Sequence, residues 1–336
     1  MRARTVCFGE LLLRLAAPGS ELLLQSPALN VHVGGAEANV AVGLACLGHD
    51  TAMVSAVPDN ALGRGAVAAI RAQGVDCRAV QLRAGRMGLY FLATGAGPRA
   101  SEIIYDRAGS AFALAAADAW DWDTILAGAG CLHLSGITPA LGPVPAAAAL
   151  AAAKAATRLA VPVSFDGNYR AMLWESWDSN PRDTLGELIA HADILFGNHR
   201  DISLVLGRDF SGAGLERRRE AADAAFAAFP RLNLIASTAR QIEDADRHRI
   251  AARIDARNVA IQTDEAIVSG IVDRIGAGDA FAAGVLHARL RGGDINVMAQ
   301  TGLALACLKH TLPGDASLFR QADIDAFQAG SRDVRR

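Results

Sequence analysis

Short apolar runs alternate along this chain with longer stretches in which apolar residues recur at helical spacing. The runs at 5–8 and 51–57 are typical of buried strands, whereas 36–47 and 63–73 repeat apolar residues every three or four positions and predict helices. The same alternation predicts strands at 131–134, 161–165, 194–196 and 234–236, with helices at 145–158, 184–191 and 216–229. This order is typical of a mostly parallel sheet covered by helices on both faces.

Two regions depart from this alternation. Residues 9–35 and 85–112 carry strand-like patterns without helices between them, as in Leu11-Leu12-Leu13 and Ile103-Ile104-Tyr105. We expect them to form a small β lid on one domain that spans 1–336. An additional antiparallel edge on the main sheet is the alternative.

Composition excludes several classes of function. The chain has 336 residues, 51% of them hydrophobic, and its formal charge of −2 offers no basic surface for nucleic acid or anionic membranes. Only two residues are lysine, Lys154 and Lys309, and neither is followed by Ser or Thr. A Walker phosphate loop is therefore absent.

The cysteines and the N-terminal segment bear on the compartment. Five widely spaced cysteines form neither a zinc spacing nor a disulfide framework. Glu10 and Arg14 interrupt the first apolar run, so no signal peptide is expected, and the alanine-rich stretch 146–156 is too short for a membrane helix. A soluble, cytoplasmic protein is the expectation.

The stretch 272–284 carries the clearest chemistry. A glycine turn containing Gly276 and Gly278 leads into an amphipathic helix, and the first backbone N–H groups of a helix lack internal partners. The amides of 276–279 therefore form a candidate anion hole without any lysine. Asp279 would repel phosphate in this turn unless it takes a proton from an attacking hydroxyl. Simple capping of the helix is the alternative for Asp279.

A dinucleotide fingerprint is a competing interpretation of the glycines. Phe281 stands where the turn at 276–278 would need a third small residue, so that match fails. Residues 63–68 do fit G-x-G-x-x-A, but Pro58-Asp59-Asn60 separates them from their strand. A helix start without phosphate is expected there.

Three segments in order resemble one known family. Residues 273–284 read Asp-x-x-Gly-Ala-Gly-Asp-x-Phe-x-x-Gly, 33–41 read Val-Gly-Gly-Ala-Glu-Ala-Asn-Val-Ala, and 57–63 fit Val-x-Asp-x-x-x-Gly. Together they resemble the ribokinase-like, phosphofructokinase-B type sugar kinases over about 9–315 of the chain. The resemblance implies a three-layer α/β/α domain with a mostly parallel sheet and a small β-sheet lid.

Within that family, several segments are most similar to the 2-keto-3-deoxygluconate kinases, among them 9–15, 88–90, 105–111, 133–138 and 166–170. The resemblance implies general-base catalysis by Asp279 with the backbone of Gly276, Ala277 and Gly278. It places around an acidic sugar Gly34, Gly35, Asn39, Tyr90, Tyr105, Arg107, Ile137, Asp166, Asn168 and Arg170. Two arginines suit a carboxylate, because guanidinium groups bind it bidentately. A surface ion pair is the alternative for each arginine.

The nucleotide side departs from the family pattern. The implied ATP contacts are Asn198, Ser237, Arg240, Gly276, Gly278, Lys309 and His310. Asp201 stands where the family usually has glutamate, so Mg²⁺ would be held there through a water. The usual glycine-rich loop is missing at 237–240, and Arg274 replaces a commoner threonine.

The function implied is ATP-dependent phosphorylation of the terminal (C6) hydroxyl of 2-keto-3-deoxygluconate. A fructokinase-like enzyme for a neutral ketose and a non-catalytic sugar-acid sensor are the alternatives. The expected partners are the sugar acid, ATP and a second copy of the chain. Exposed Leu11 or Leu13 on the lid would meet that copy.

Overall fold

The computed structural model describes residues 4–331 and contains two separate sheets. Its strands are β1 Arg4–Phe8, β2 Leu12–Ala16, β3 Asn30–Gly34, β4 Thr51–Pro58, β5 Val80–Arg83, β6 Leu89–Ala93, β7 Glu102–Asp106, β8 Ala129–Ser135, β9 Val163–Asp166, β10 Ile194–Phe196, β11 Leu234–Asp244, β12 Arg247–Ala256, β13 Ala260–Gln262 and β14 Ala266–Ser269. The main sheet has the order β13-β12-β11-β10-β9-β8-β1-β4-β5, with β14 also paired to β12. From β11 to β5 all neighbours are parallel, as expected.

Helices cover both faces of this sheet. They are α1 Ala36–Cys46, α2 Ala61–Ala72, α3 Trp122–Leu126, α4 Pro143–Arg158, α5 Ala171–Trp174, α6 Pro181–Ala190, α7 His199–Leu206, α8 Gly214–Ala228, α9 Ala277–Leu290, α10 Ile295–Lys309 and α11 Gln321–Gln328. One apolar core lies between the sheet and α1, α2, α9 and α10, and the other lies under α4, α6 and α8. The three-layer α/β/α expectation is confirmed. In residues 4–331, no helix is long and apolar enough to cross a membrane.

The second sheet has four strands in the order β3-β2-β6-β7. Strands β2 and β6 run parallel, and β3 and β7 add antiparallel edges. These strands come from the two regions that lack helices in the sequence, so the expectation of a small separate sheet is confirmed. The additional-edge alternative is wrong, because no strand of this sheet pairs with the main one within the described residues.

The antiparallel end of the main sheet was not anticipated. A short strand was expected at 234–236, but β11 continues to Asp244 and pairs along its length with β12. From Arg240 onward the exposed residues of this hairpin are polar except for Ile242, which is 54% exposed. A polar, exposed hairpin lacks the apolar run that marks a buried strand.

The expected exposure of Leu11 and Leu13 is wrong. Leu11 and Leu13 pack in the core beside α1, with 1% and 5% of their surface exposed. The apolar residues that do face solvent on the small sheet are Val31 and Ile104. Alternation in a strand cannot by itself tell which face meets a neighbouring layer.

Candidate active site

The site lies at the carboxyl ends of the parallel strands, where ligands bind in open α/β sheets. β8 ends at Ser135, β9 ends at Asp166, and the segment after β10 leads to Asp201 at the start of α7. Gly9 and Glu10 follow β1. The topology therefore brings together residues that are far apart in the sequence.

The glycine turn forms an open N-terminus on α9. Gly276 is the N-cap with a φ of 76°, and a Cβ atom there would overlap the carbonyl oxygen of Asp315, so only glycine fits. The amides of Gly276, Gly278 and Asp279 make no hydrogen bond to any group in residues 4–331. The amide of Ala277 differs from the expectation, since it donates to the Arg274 carbonyl at 3.3 Å. Three free amides at a helix start are the means to bind an anion.

Asp279 does not cap this helix. No side chain caps the N-terminus of α9, and Asp279 Oδ2 instead accepts a 2.7 Å hydrogen bond from Asn39 Nδ2. The pKa of Asp279 is raised to about 7, mainly by burial. The hydrogen bond from Asn39 and the charge of Arg170 act to lower the pKa, and the charges of Asp315 and Glu37 act to raise it. A carboxyl group with a pKa near neutrality suits a general base.

Two further carboxylates flank Asp279. Burial, together with the negative charges of Asp279 and Asp201, raises the pKa of Asp166 to about 8. Burial also raises the pKa of Asp201. Arg170 is exposed and close enough for its charge to lower the pKa of all three. In the described residues, the guanidinium group of Arg170 makes one hydrogen bond, from Nη1 to the Tyr169 carbonyl at 2.9 Å.

Asp201 also shapes the start of α7. Its Oδ2 accepts from the Asn198 amide at 2.8 Å, and Asn198 Oδ1 accepts from the Arg200 amide at 2.8 Å. The Oδ1 atom of Asp201 faces Gly167, where a Cβ would lie 2.9 Å away. In residues 4–331, no group of three or more His, Cys, Asp or Glu side chains is arranged to hold a metal. The pair Asp166 and Asp201 supplies the hard oxygen donors that suit Mg²⁺ with water ligands.

The small sheet contributes a buried polar cluster to the site. Arg14 on β2 contacts Asp273 Oδ2 at 2.6 Å through Nη2 and Asp315 Oδ1 at 3.2 Å through Nε. Tyr90 on β6 donates to Asp315 Oδ2 at 2.6 Å, and a Cβ on Gly34 would overlap that same oxygen. Burial and then the charge of Asp315 raise the pKa of Tyr90. Gly34 and Tyr90 thus lie together, as expected, with Asp315 between them.

Other expected sugar contacts fall into two groups. Tyr105 packs beside Tyr90 with ring centroids 6.4 Å apart, and Ile137 is buried in the turn after β8. Asn168 adopts a positive φ of 39° just after Asp166. Arg107 is different, because it is buried and its Nε donates to Glu10 Oε2 at 2.5 Å. Glu10 therefore neutralises one of the two arginines proposed for a sugar carboxylate.

Three of the residues that were expected to contact the nucleotide come from strand β11 and from the end of α10. Ser237 and Arg240 are on β11, and His310 follows α10. Lys309 is fully buried, and its Nζ donates to the carbonyls of Leu312 and Asp273, at 2.9 and 3.4 Å. Its ammonium group therefore holds the backbone around the turn rather than facing a ligand.

The sequence alone missed the roles of Arg14, Asp315 and Glu37. Glu37 is buried and accepts from the amide and hydroxyl of Ser135, at 3.1 and 2.7 Å, and from Thr138 at 2.8 Å. The available signal was a charged residue inside an apolar strand or helix start, which is costly unless it is paired. Asp315 had no such signal, because it lies in a loop.

The helix at 61–72 tests the dinucleotide alternative. Asn60 caps α2 by accepting from the amides of Leu62 and Gly63 at 3.0 and 3.1 Å. A Cβ on Gly63 would overlap the Pro58 carbonyl, so the glycine serves close packing. This helix start has its amides satisfied and offers no phosphate site.

Residues 2–321 match the family model described as pfkB family carbohydrate kinase. The chain belongs to this family. It is 32% identical over 330 residues to the 2-dehydro-3-deoxygalactonokinase of Haloferax volcanii, and the alignment covers 98% of each chain. The crystal structure of 2-dehydro-3-deoxygluconokinase from Thermotoga maritima is 35% identical, with a TM-score of 0.92, covering 98% of this chain and 100% of that one.

Neutral-sugar kinases are also among the relatives of this pfkB family carbohydrate kinase. The chain is 32% identical over 286 residues to the probable fructokinase-6 of Arabidopsis thaliana, covering 84% of this chain and 68% of that protein. Family membership therefore establishes a carbohydrate kinase, and the site must decide between a sugar acid and a neutral sugar.

Proposed function

We propose that this protein transfers a phosphoryl group from ATP to the terminal (C6) hydroxyl of 2-keto-3-deoxygluconate, also called 2-dehydro-3-deoxygluconate. One observation carries the proposal: a carboxylate that does not cap its helix lies in the same turn as three free backbone amides. The similarity to kinases of 2-dehydro-3-deoxy sugar acids supports the choice of substrate.

In this mechanism, Asp279 takes the proton of the attacking hydroxyl, and Asn39 holds the carboxylate in place. The amides of Gly276, Gly278 and Asp279 stabilise the charge that develops on the transferring phosphoryl group. Because the site pre-positions both reactants, most of the rate enhancement comes from orientation and charge stabilisation.

Asp166 and Asp201 would hold Mg²⁺ through water. When bound, the ion neutralises phosphate charge and orients the leaving group. It would also offset the repulsion from Asp279 and Asp201 that adds to the effect of burial on the pKa of Asp166.

Arg170 is the arginine available for the sugar carboxylate. It is exposed, forms no ion pair with a neighbouring carboxylate within the described ion pairs, and lies beside the aspartates of the site. A guanidinium–carboxylate contact here distinguishes a sugar acid from a ketose.

A screen of ADP release tests the proposed function. We expect kcat/KM for 2-keto-3-deoxygluconate to exceed that for fructose by at least about a hundredfold. Arg170→Gln should remove most of this preference, lowering kcat/KM far more for 2-keto-3-deoxygluconate than for fructose. Arg217→Gln, an exposed arginine paired with Glu220 on α8, is the matched control. Equal losses with both sugars would overturn the role of Arg170.

A neutral ketose is the second candidate, and the pairing of Arg107 with Glu10 favours it, because that pair leaves one fewer free cation for a carboxylate. The same screen decides, since fructose would then be the better substrate. Thermal stabilisation by the sugar acid without ADP release from any sugar would instead indicate a sensor.

The activity of the wild-type enzyme should fall in acid. The pKa of Asp279 is raised to about 7, so the base is protonated below that pH and ionised above it. With Mg²⁺ saturating, kcat/KM for the sugar should fall by about tenfold per pH unit below the pKa. A profile that stays flat between pH 5.5 and 7 would contradict the assignment of Asp279 as the base.

We also propose that the small sheet acts as a lid over the sugar and pairs with a second copy of the chain. Val31, Leu15, Phe91 and Ile104 are opposite one another on the four strands, so they form an apolar row on one face. Val31 and Ile104 are 59% and 46% exposed. Such a row suits burial against an identical sheet. Light scattering, which measures the mass of the protein in solution, tests whether the chain forms a dimer.

A further inference from the structure

Four basic side chains meet on one side of the glycine turn. In the β11–β12 hairpin, Arg240 is opposite Ile250, and Ile242 is opposite His248. Paired residues point to the same face of a sheet, so Arg240 and His248 are diagonal neighbours on one face. Ile250 packs in the core against α9 and α10, which shows that this face is turned toward the helices.

The second pair comes from the end of α10 and the start of the turn. The ring of His310 meets that of His248 edge-on, with centroids 5.6 Å apart. The His310 carbonyl accepts hydrogen bonds from the amides of Val272 and Asp273, at 2.8 and 3.2 Å. Arg274 is the next residue in the chain, so these bonds hold its backbone near His310. Arg240, His248, Arg274 and His310 thus form a basic cluster, which we name the cationic cluster.

The two arginines of the cationic cluster have no ion-pair partner among the described residues. Within residues 4–331, the guanidinium groups of Arg240 and Arg274 make no hydrogen bond and no ion pair. On the same hairpin, Arg247 and Arg249 both pair with Glu243, at 2.9 and 2.7 Å. Two unpaired guanidinium groups beside one another repel, and an anion between them would remove that cost.

Burial and mutual repulsion lower the pKa values of the groups in the cationic cluster. Although Arg240 is more than a third exposed, loss of water lowers its pKa, and the charge of Arg274 lowers it further. Burial, followed by Arg240 and Arg274, lowers the pKa of His248, with Asp244 opposing. Burial lowers the pKa of His310 to about 4. The Nε2 of His310 and both ring nitrogens of His248 are buried and make no hydrogen bond of normal geometry in the described residues.

The cationic cluster lies next to the glycine turn, and this position indicates which anion it would bind. Arg274 is two residues before Gly276, whose free amide begins the anion-binding turn. The chain has no glycine-rich loop at 237–240, and Lys309 is occupied by backbone carbonyls. No lysine or glycine loop therefore remains on this side to bind the outer phosphates of a nucleotide.

We propose that Arg240 and Arg274 form a two-guanidinium clamp for the polyphosphate of the nucleotide, in place of the backbone amides of a glycine-rich loop. This inference rests on the proposed kinase function. Guanidinium forks bind phosphate oxygens bidentately, and they do not depend on the base of the nucleotide. The clamp predicts that affinity follows the number of phosphates more closely than the identity of the base.

Arg240→Gln and Arg274→Gln test the clamp, with Arg249→Gln as the matched control on the same hairpin. Each clamp variant should raise the dissociation constant for MgADP and for inorganic tripolyphosphate by at least about tenfold, as expected for a lost charge-assisted hydrogen bond. The KM for ATP should rise in parallel, while the KM for the sugar changes less than about twofold. Both arginines lack partners, so their removal leaves no buried carboxylate unpaired, and the variants should fold.

Arg274→Lys keeps the positive charge but removes the planar guanidinium group. We expect its loss of affinity for MgADP and tripolyphosphate to be smaller than that of Arg274→Gln. If both Gln variants bind MgADP and tripolyphosphate as tightly as Arg249→Gln does, the clamp is wrong, whether or not the enzyme is active. If the wild type binds these ligands through the clamp but phosphorylates no sugar, the proposed function fails and the clamp stands. Calorimetry measures binding and the ADP-release assay measures turnover, so the two failures remain distinguishable.

Discussion

Asp279→Asn should lower kcat by about 10²–10⁴-fold, which is the usual contribution of a general base. The amide has nearly the shape of the carboxylate and keeps an oxygen for the Asn39 Nδ2 that now donates to Asp279 at 2.7 Å. It cannot accept the proton of the hydroxyl at neutral pH. The KM for the sugar and for ATP should change little, because neither ligand is expected to bind mainly through this group.

Steady-state kinetics measures this effect, with Asp264→Asn as the control. Asp264 is exposed, and its side chain makes no contact with the site in the described residues. Near-wild-type turnover in Asp279→Asn would remove Asp279 from the role of base. A large rise in sugar KM with unchanged kcat would instead assign it to substrate binding.

Arg14→Gln should lower the free energy of unfolding by about 3–5 kcal/mol, the usual cost of removing one partner from a buried ion pair. Arg14 is 1% exposed and lies between Asp273 and Asp315, whose buried carboxylates would lose their ion-pair partner. The loss would also loosen the link between the small sheet and the turn at 273–276.

Urea unfolding followed by circular dichroism measures this change. Lys154→Gln is the control, because Lys154 and Glu187 form an ion pair with both side chains more than half exposed. That variant should lose less than about 1 kcal/mol. If Arg14→Gln unfolds at the same urea concentration as the control, the cluster does not hold the fold together. The double variant Arg14→Gln with Asp315→Asn should recover part of the loss, since one stranded charge is gone.

The parallel part of the fold could be predicted because its strands are continuous apolar runs and its helices have clear spacing. The glycine turn could also be predicted from local sequence, because only glycine allows such a tight turn. Asp279 was noticed because a carboxylate is unusual in that turn. The polar outer half of β11, beyond Ala239, could not be predicted, because local pattern does not report pairing with β12.

The cluster around Asp315 shows what sequence patterns leave out. Arg14 lies far along the chain from both Asp273 and Asp315, and only the topology brings its guanidinium group within 2.6 and 3.2 Å of their carboxylates. For Arg107, the sequence predicted a contact to the sugar but not the ion pair with Glu10, because nothing local reveals that Glu10 folds against it. Residue type and spacing therefore indicate candidate chemistry, whereas the pairing of charges required the structure.

The position of the transferred phosphate tests the central claim most directly. The wild-type enzyme is incubated with ATP, Mg²⁺ and 2-keto-3-deoxygluconate, and the product is examined by mass spectrometry and by phosphorus–proton correlation NMR. The account predicts one ADP per sugar and a phosphomonoester coupled to the two C6 protons. Phosphate on another carbon, or ADP formed without a phosphorylated sugar, would contradict it.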